Sequence, residues 1–184
     1  MRIIRAAEHR QVPWKNGGGL TAEIAAFPEG ASMDGFDWRL SMADVVSDGP
    51  FSIFSGIDRT LTLLSGAGMA LDIEGRERIV LDSGSPPLAF PGDVAVRATL
   101  VDGPVRDLNV MTRRGRFSHR VEPFSVNGHR EVGVETETGL LFCRHGEARI
   151  GGETVSKFDV ARLERGAVAI EGDAAFCLVL LQRR

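Results

Sequence analysis

Trp38-Arg39-Leu40-Ser41-Met42-Ala43 sets large apolar side chains against polar or small ones at every second position. Side chains of an extended strand point to opposite faces in turn. The stretch therefore reads as a half-buried β-strand, with Trp38, Leu40 and Met42 on one face and Arg39, Ser41 and Ala43 on the other. The same period recurs outward along the chain, in Arg59-Thr60-Leu61-Thr62-Leu63, in Met69, Leu71 and Ile73, and in Leu108-Asn109-Val110-Met111-Thr112. Ala148 and Ile150 run into Gly151-Gly152, the signature of a tight hairpin, and 167–170 and 176–181 read as two further strands. The 22 glycines and 8 prolines fall mostly between these runs, as in Asp48-Gly49-Pro50, Pro91-Gly92-Asp93 and Asp102-Gly103-Pro104. Turn punctuation at such short intervals predicts an all-β sandwich or barrel, with room for one short helix at 5–9.

A weak internal echo suggests two β-modules. Leu63-Leu64-Ser65-Gly66-Ala67-Gly68-Met69-Ala70-Leu71 shares its rhythm with Leu141-Phe142-Cys143-Arg144-His145-Gly146-Glu147-Ala148-Arg149. The join is expected at 118–128, where Pro123, Asn127 and Gly128 interrupt the apolar pattern.

Composition narrows the class of function. The 184 residues are 43% hydrophobic, enough for a sizeable core, and carry a formal net charge of −3. A chain this close to neutral has no general attraction for nucleic acid or an anionic membrane, and Arg113, Arg114 and Arg116 read as a solvated turn. No run approaches the ~18 apolar residues of a membrane helix, and the charges in MRIIRAAEHR leave no apolar signal core. Cys143 and Cys177 each sit in an apolar segment and read as buried thiols of a reducing compartment, so a cytoplasmic location is expected.

Familiar catalytic devices are missing from the sequence. His9, His119, His129 and His145 are scattered, with no His-x-His pair and no Glu at metal-ligand spacing. There is no Gly-x-Ser-x-Gly elbow. Pro13-Trp14-Lys15-Asn16-Gly17-Gly18-Gly19 is the most unusual segment: its glycines allow close approach of a ligand, Lys15 adds charge and Asn16 a donor and an acceptor. A tight turn leading into a strand explains the same residues. Strand parity places Asp107, Asn109, Met111 and Arg113 on one face, opposite Leu108 and Val110. A sheet with one polar face either meets water there or lines a hollow barrel, and composition does not decide between the two.

Taken together, these motifs resemble the HutD/Ves family of bacterial proteins. The resemblance rests on 13–19 with Thr21 and Glu23, on 38–43, on Asp48-Gly49-Pro50-Phe51-Ser52-Ile53-Phe54, on Gly56-Ile57-Asp58-Arg59 with Leu63-Leu64, on Phe90-Pro91-Gly92-Asp93 and on 107–111. It implies a bicupin-like all-β fold of two β-barrel or jelly-roll halves, 1–118 with the family motifs and 119–184, forming one compact unit. It also implies the absence of the usual cupin metal ligands; where a metal cupin places His-x-His, this chain reads Gly68-Met69-Ala70-Leu71. Finally it implies a regulatory or accessory role in histidine utilisation, through binding of urocanate or a formyl- or formimino-glutamate, or a stress-linked role in the Ves branch.

Parity and resemblance meet on the same residues. Arg39, Ser41, Asn109 and Met111 are expected to line the cavity, Lys15 and Asn16 to sit at its rim, and Asp58, Arg59 and Asp93 near its mouth. The expected partner is a small anionic ligand, not nucleic acid or membrane; no metal and no other cofactor is expected, and a homodimer is left open. The alternatives are a metal-independent isomerase or hydrolase using Lys15, Glu23, Asp58 or Asp93 as acid or base, and a protein whose cavity is vestigial.

Overall fold

The computed structural model describes residues 1–14 and 20–184. Every regular element in them is a strand except one 3-10 turn at Ala6–Glu8, inside the stretch expected to allow a short helix. The chain divides into two compact units, Arg10–Arg114 and Met1–His9 with Gly115–Arg184. β1 (Arg2–Ile4) belongs to the second of these. The first unit holds β2 (Arg10–Pro13), β3 (Leu20–Phe27), β4 (Trp38–Val45), β5 (Gly49–Pro50), β6 (Ile57–Ser65), β7 (Met69–Ile73), β8 (Ile79–Leu81), β9 (Leu88–Pro91), β10 (Val96–Leu100) and β11 (Val105–Arg113). The second unit continues with β12 (Phe117–Val134), β13 (Thr138–Ile150), β14 (Glu153–Ser156), β15 (Val160–Leu163) and β16 (Gly166–Arg183).

In the first unit six strands form a sheet in the order β2-β3-β4-β11-β6-β9, and four form a second in the order β5-β10-β7-β8. Val45, Leu61 and Leu63 of the larger sheet pack with Met69, Leu71, Ile73, Val96 and Ala98 of the smaller. A separate apolar cluster gathers Phe36, Phe54, Ile57 and Met111. Along β11, Met111 belongs to one cluster and Val105 to the other, with Asn109 and Asp107 between them. The alternation read from 38–43 and 107–113 holds, and its other face, Leu40, Met42, Leu108 and Val110, is buried as well. Both faces of this part of the sheet are thus withdrawn from water, which makes the polar positions on the inner one unusual.

The second unit is a six-stranded sheet in the order β1-β15-β13-β16-β12, with β14 added to β13. Its core is apolar, built from Leu141, Cys143, Ile150, Ala161, Phe176, Leu178 and their neighbours. Two details differ from the sequence reading. The 118–128 stretch is no join; it lies inside β12, which pairs with β16 throughout. Pro123 fits there because β12 is an edge strand, where no ladder hydrogen bond is lost. The two C-terminal strands are one, β16, which turns past β13 at Gly172, where a Cβ would lie 2.7 Å from the Glu147 carbonyl oxygen. The expected Gly151-Gly152 hairpin joins β13 to β14, both glycines having positive φ, at 57° and 87°.

Candidate ligand-binding site

The inner face of the first unit's larger sheet is a ladder of three rows. Arg39 of β4, Met111 of β11 and Arg59 of β6 stand side by side in one row, so the two arginines flank a thioether. The next row is Ser41, Asn109 and Leu61, and the third Ala43, Asp107 and Leu63. Two irregularities adjoin the acidic members of the site. β3 bulges between Glu23 and Ala25, and the β11–β6 ladder shifts between Arg106 and Asp107. Bulges re-aim neighbouring side chains, and these two adjoin the carboxylates that meet the arginines.

A cavity opens over these rows. It offers about 50 Å³ to the centre of a water molecule, and about 450 Å³ of empty space once its mouth is counted. Its walls carry Arg39, Arg59, Asp107, Asn109, Ser41 and Ser52, together with the apolar rings of Trp14, Phe51 and Phe54. Convergent polar groups on a mostly apolar concave wall are what a small-molecule site requires.

Its electrostatics are those of charges taken out of water. Arg39 is 3% exposed, and its Nε donates to Glu23 Oε2 at 2.8 Å. Glu23 in turn accepts from Arg10 at 2.6 Å through its other oxygen. The Nη2 of Arg39 is buried and has no hydrogen-bond partner among the described residues. Leaving such a donor unmet costs on the order of 1–3 kcal/mol, which an acceptor placed in the cavity would recover. Arg59 donates from Nε to Asn109 Oδ1 at 2.7 Å, and the Asn109 amide donates to Asp107 Oδ1. The Arg59 guanidinium lies 4.6 Å from the ring centre of Phe51 and 5.4 Å from that of Phe90, a cation–π sandwich. Burial lowers the Arg59 pKa to about 10, Asp107 opposing the fall and Arg39 adding to it. Burial likewise raises the Asp107 carboxyl to about 6, against the pull of Arg59 and the Asn109 hydrogen bond.

The structure thus brings Arg39, Ser41, Arg59, Asn109 and Met111 to one cavity wall. Lys15 and Asn16 lie outside the described residues. Asp58 and Asp93 are not at the cavity: Arg114 holds them on the surface, Nε to Asp58 at 2.9 Å and Nη1 to Asp93 at 3.0 Å. The cause is strand parity, which turns Asp58 away from the face Arg59 occupies. Asp107 is a cavity-lining residue that the sequence reading left out of the site; its shared face with Asn109 and Met111 was the available signal. The donor set does not suit a metal, because two guanidinium groups face the cavity and Asp107 is the one carboxylate on the wall described. Among the described residues no group of three or more His, Cys, Asp or Glu is arranged to hold an ion, and no helix is long and apolar enough to cross a membrane.

An all-β fold of this kind is that of the cupin-type barrels. A cupin 2 conserved barrel domain protein from Leptotrichia buccalis shares the fold at 12% identity, with a TM-score of 0.57 over 88% of each chain. Within that class the family model HutD matches residues 6–178, and the chain belongs to the HutD family. HutD from Pseudomonas fluorescens SBW25 is 34% identical, with a TM-score of 0.85 over 100% of this chain and 98% of its own. A 21.2 kDa protein in the hutC 3′ region of Pseudomonas putida is 35% identical over 100% of this chain and 98% of its own length. Protein Ves of Citrobacter koseri is 42% identical over 75% of this chain and 70% of its own.

Proposed function

We propose that the chain is a metal-independent binding module for a small anionic catabolite, serving histidine utilisation as a regulatory or accessory factor in the cytoplasm. The observation that carries this reading is the Arg39 side chain at the wall of the cavity, whose buried Nη2 has no partner among the described residues. A carboxylate there accepts a charge-assisted hydrogen bond contributing roughly 1.5–3 kcal/mol. The Ser41 and Ser52 hydroxyls and the Asn109 amide stand on the same wall to orient it, and Trp14, Phe51 and Phe54 cover an apolar or planar body. The family's HutD members and the hutC neighbourhood of the Pseudomonas putida relative direct the choice of ligand to urocanate, N-formylglutamate and formiminoglutamate.

Titration calorimetry of the three compounds tests the reading. One of them binds with micromolar affinity, and Arg39→Ala lowers that affinity at least thirtyfold while the circular dichroism spectrum is unchanged; about 2 kcal/mol corresponds to that factor. Equal affinity in wild type and variant removes the site. Among the described residues the enzymatic alternative is left with Asp107 as acid or base, since Asp58 and Asp93 pair with Arg114 and Glu23 is held between Arg39 and Arg10; Lys15 lies outside those residues. Conversion of any of the three compounds, followed by NMR and lost in Asp107→Asn, would favour it.

A further inference from the structure

We propose that the cavity takes up its ligand as an anion together with one proton, and that Asp107 is the group that receives the proton. The inference rests on the binding reading above and specifies the chemistry of that site: the ligand class is a small carboxylic acid, bound as a carboxylate beside a neutral carboxyl.

The placement of these side chains supports this. Asp107 is 1% exposed and lines the same cavity as Arg39, whose buried Nη2 has no partner among the described residues. A carboxylate seated on Arg39 therefore enters a cavity whose wall already carries a buried carboxylate, and like charges in one weakly screened site raise each other's pKa. The surrounding charges are accounted for strand by strand. From β11, Asn109 donates to Asp107 Oδ1. From β6, Arg59 stabilises its charge. From β4, Asp44 opposes its charge, while Arg39 is held by Glu23 of β3. With Glu23 shared between Arg39 and Arg10 of β2, and Asp107 set against Arg59, an ionised Asp107 offsets the charge that Arg59 would otherwise offer a ligand. Protonating Asp107 frees the charge of Arg59 and supplies an O–H that donates to the incoming carboxylate.

The proton is easily gained. With a carboxyl pKa of about 6, Asp107 is ionised in most empty molecules at neutral pH, and the arriving anion pushes that pKa further up, past neutrality. The proton comes from solvent, and no covalent bond changes. Below pH 6 the carboxyl is already protonated and uptake fades; above it, the dissociation constant rises about tenfold per pH unit until the pKa of the complex is reached.

Calorimetry with N-formylglutamate, and with acetate as the minimal carboxylate, in phosphate and in Tris at pH 7.4 reads the proton number directly from the difference in observed heat. Wild type is expected to take up close to one proton at pH 7.4 and less than half of one at pH 5.5. Asp107→Asn, which keeps the acceptor for Asn109, is expected to take up none and to bind at pH 8 at least as tightly as wild type. Binding by wild type with no dependence on buffer overturns the inference and leaves the binding reading standing. Undiminished uptake in Asp107→Asn assigns the proton elsewhere and also overturns it. No binding of either probe by wild type overturns both. The wild-type buffer series stands without the variant should the variant fail to fold.

Discussion

The two units of this chain solve the same problem with opposite interiors. Around β13 and β16, inward positions are filled by Leu141, Cys143, Phe176 and Leu178, all within one apolar cluster. Around β4, β6 and β11, equally buried inward positions carry Arg39, Ser41, Arg59, Asp107 and Asn109. In the second unit the buried polar side chains described are Thr136 and Asp159, and Asp159 is satisfied by Arg5 and the backbone N–H of Ala6. Apolar filling contributes stability with every methylene buried. Buried charge does not: its desolvation is offset only by good pairing, and the Arg39 Nη2 has no partner among the described residues. The difference sets an apolar, stability-giving interior in one unit against an interior with the cost of buried charge in the other.

Three substitutions sharpen the contrast. The largest effect is expected from Phe176→Ala, which empties a fully buried position stacked on Phe124; urea denaturation should show a loss of about 3–5 kcal/mol. Asp107→Asn should move stability the other way at neutral pH. The native carboxyl holds its proton up to about pH 6, while the unfolded one releases it near 3.8. Wild-type stability therefore falls as pH rises across that interval and levels off above it. The variant lacks the fall, and at pH 7.5 should be more stable than wild type by about 1–3 kcal/mol in urea titrations. The smallest effect belongs to Arg114→Ala, which releases Asp58 and Asp93 at the surface. It should cost under about 1 kcal/mol and leave ligand affinity within twofold, because neither carboxylate faces the cavity. A larger change in affinity would extend the site to this surface cluster.

Much of this was written in the period-two pattern. Alternation at 38–43 and 107–111 is local, and it set Arg39, Ser41, Asn109 and Met111 on one face before any contact was known. What stayed hidden depends on residues distant in sequence. Asp58 is captured by Arg114 across 56 residues, a pairing that no local pattern announces. Asp107 sat in the right parity set, but its raised pKa arises only once β4, β11 and β6 close over it and exclude water. Pro123 and Gly128 looked like a boundary because breakers usually are one; only the placement of β12 at an edge makes them compatible with a long strand.

The central claim is that Arg39 holds an open donor for a ligand's carboxylate. A crystal structure of the chain soaked with N-formylglutamate or urocanate tests it most directly. The account expects a carboxylate oxygen within about 3 Å of Arg39 Nη2, with Asp107 in hydrogen-bond contact with the same ligand. Density for the ligand elsewhere, with Nη2 bonded to a protein acceptor in the cavity, would contradict it.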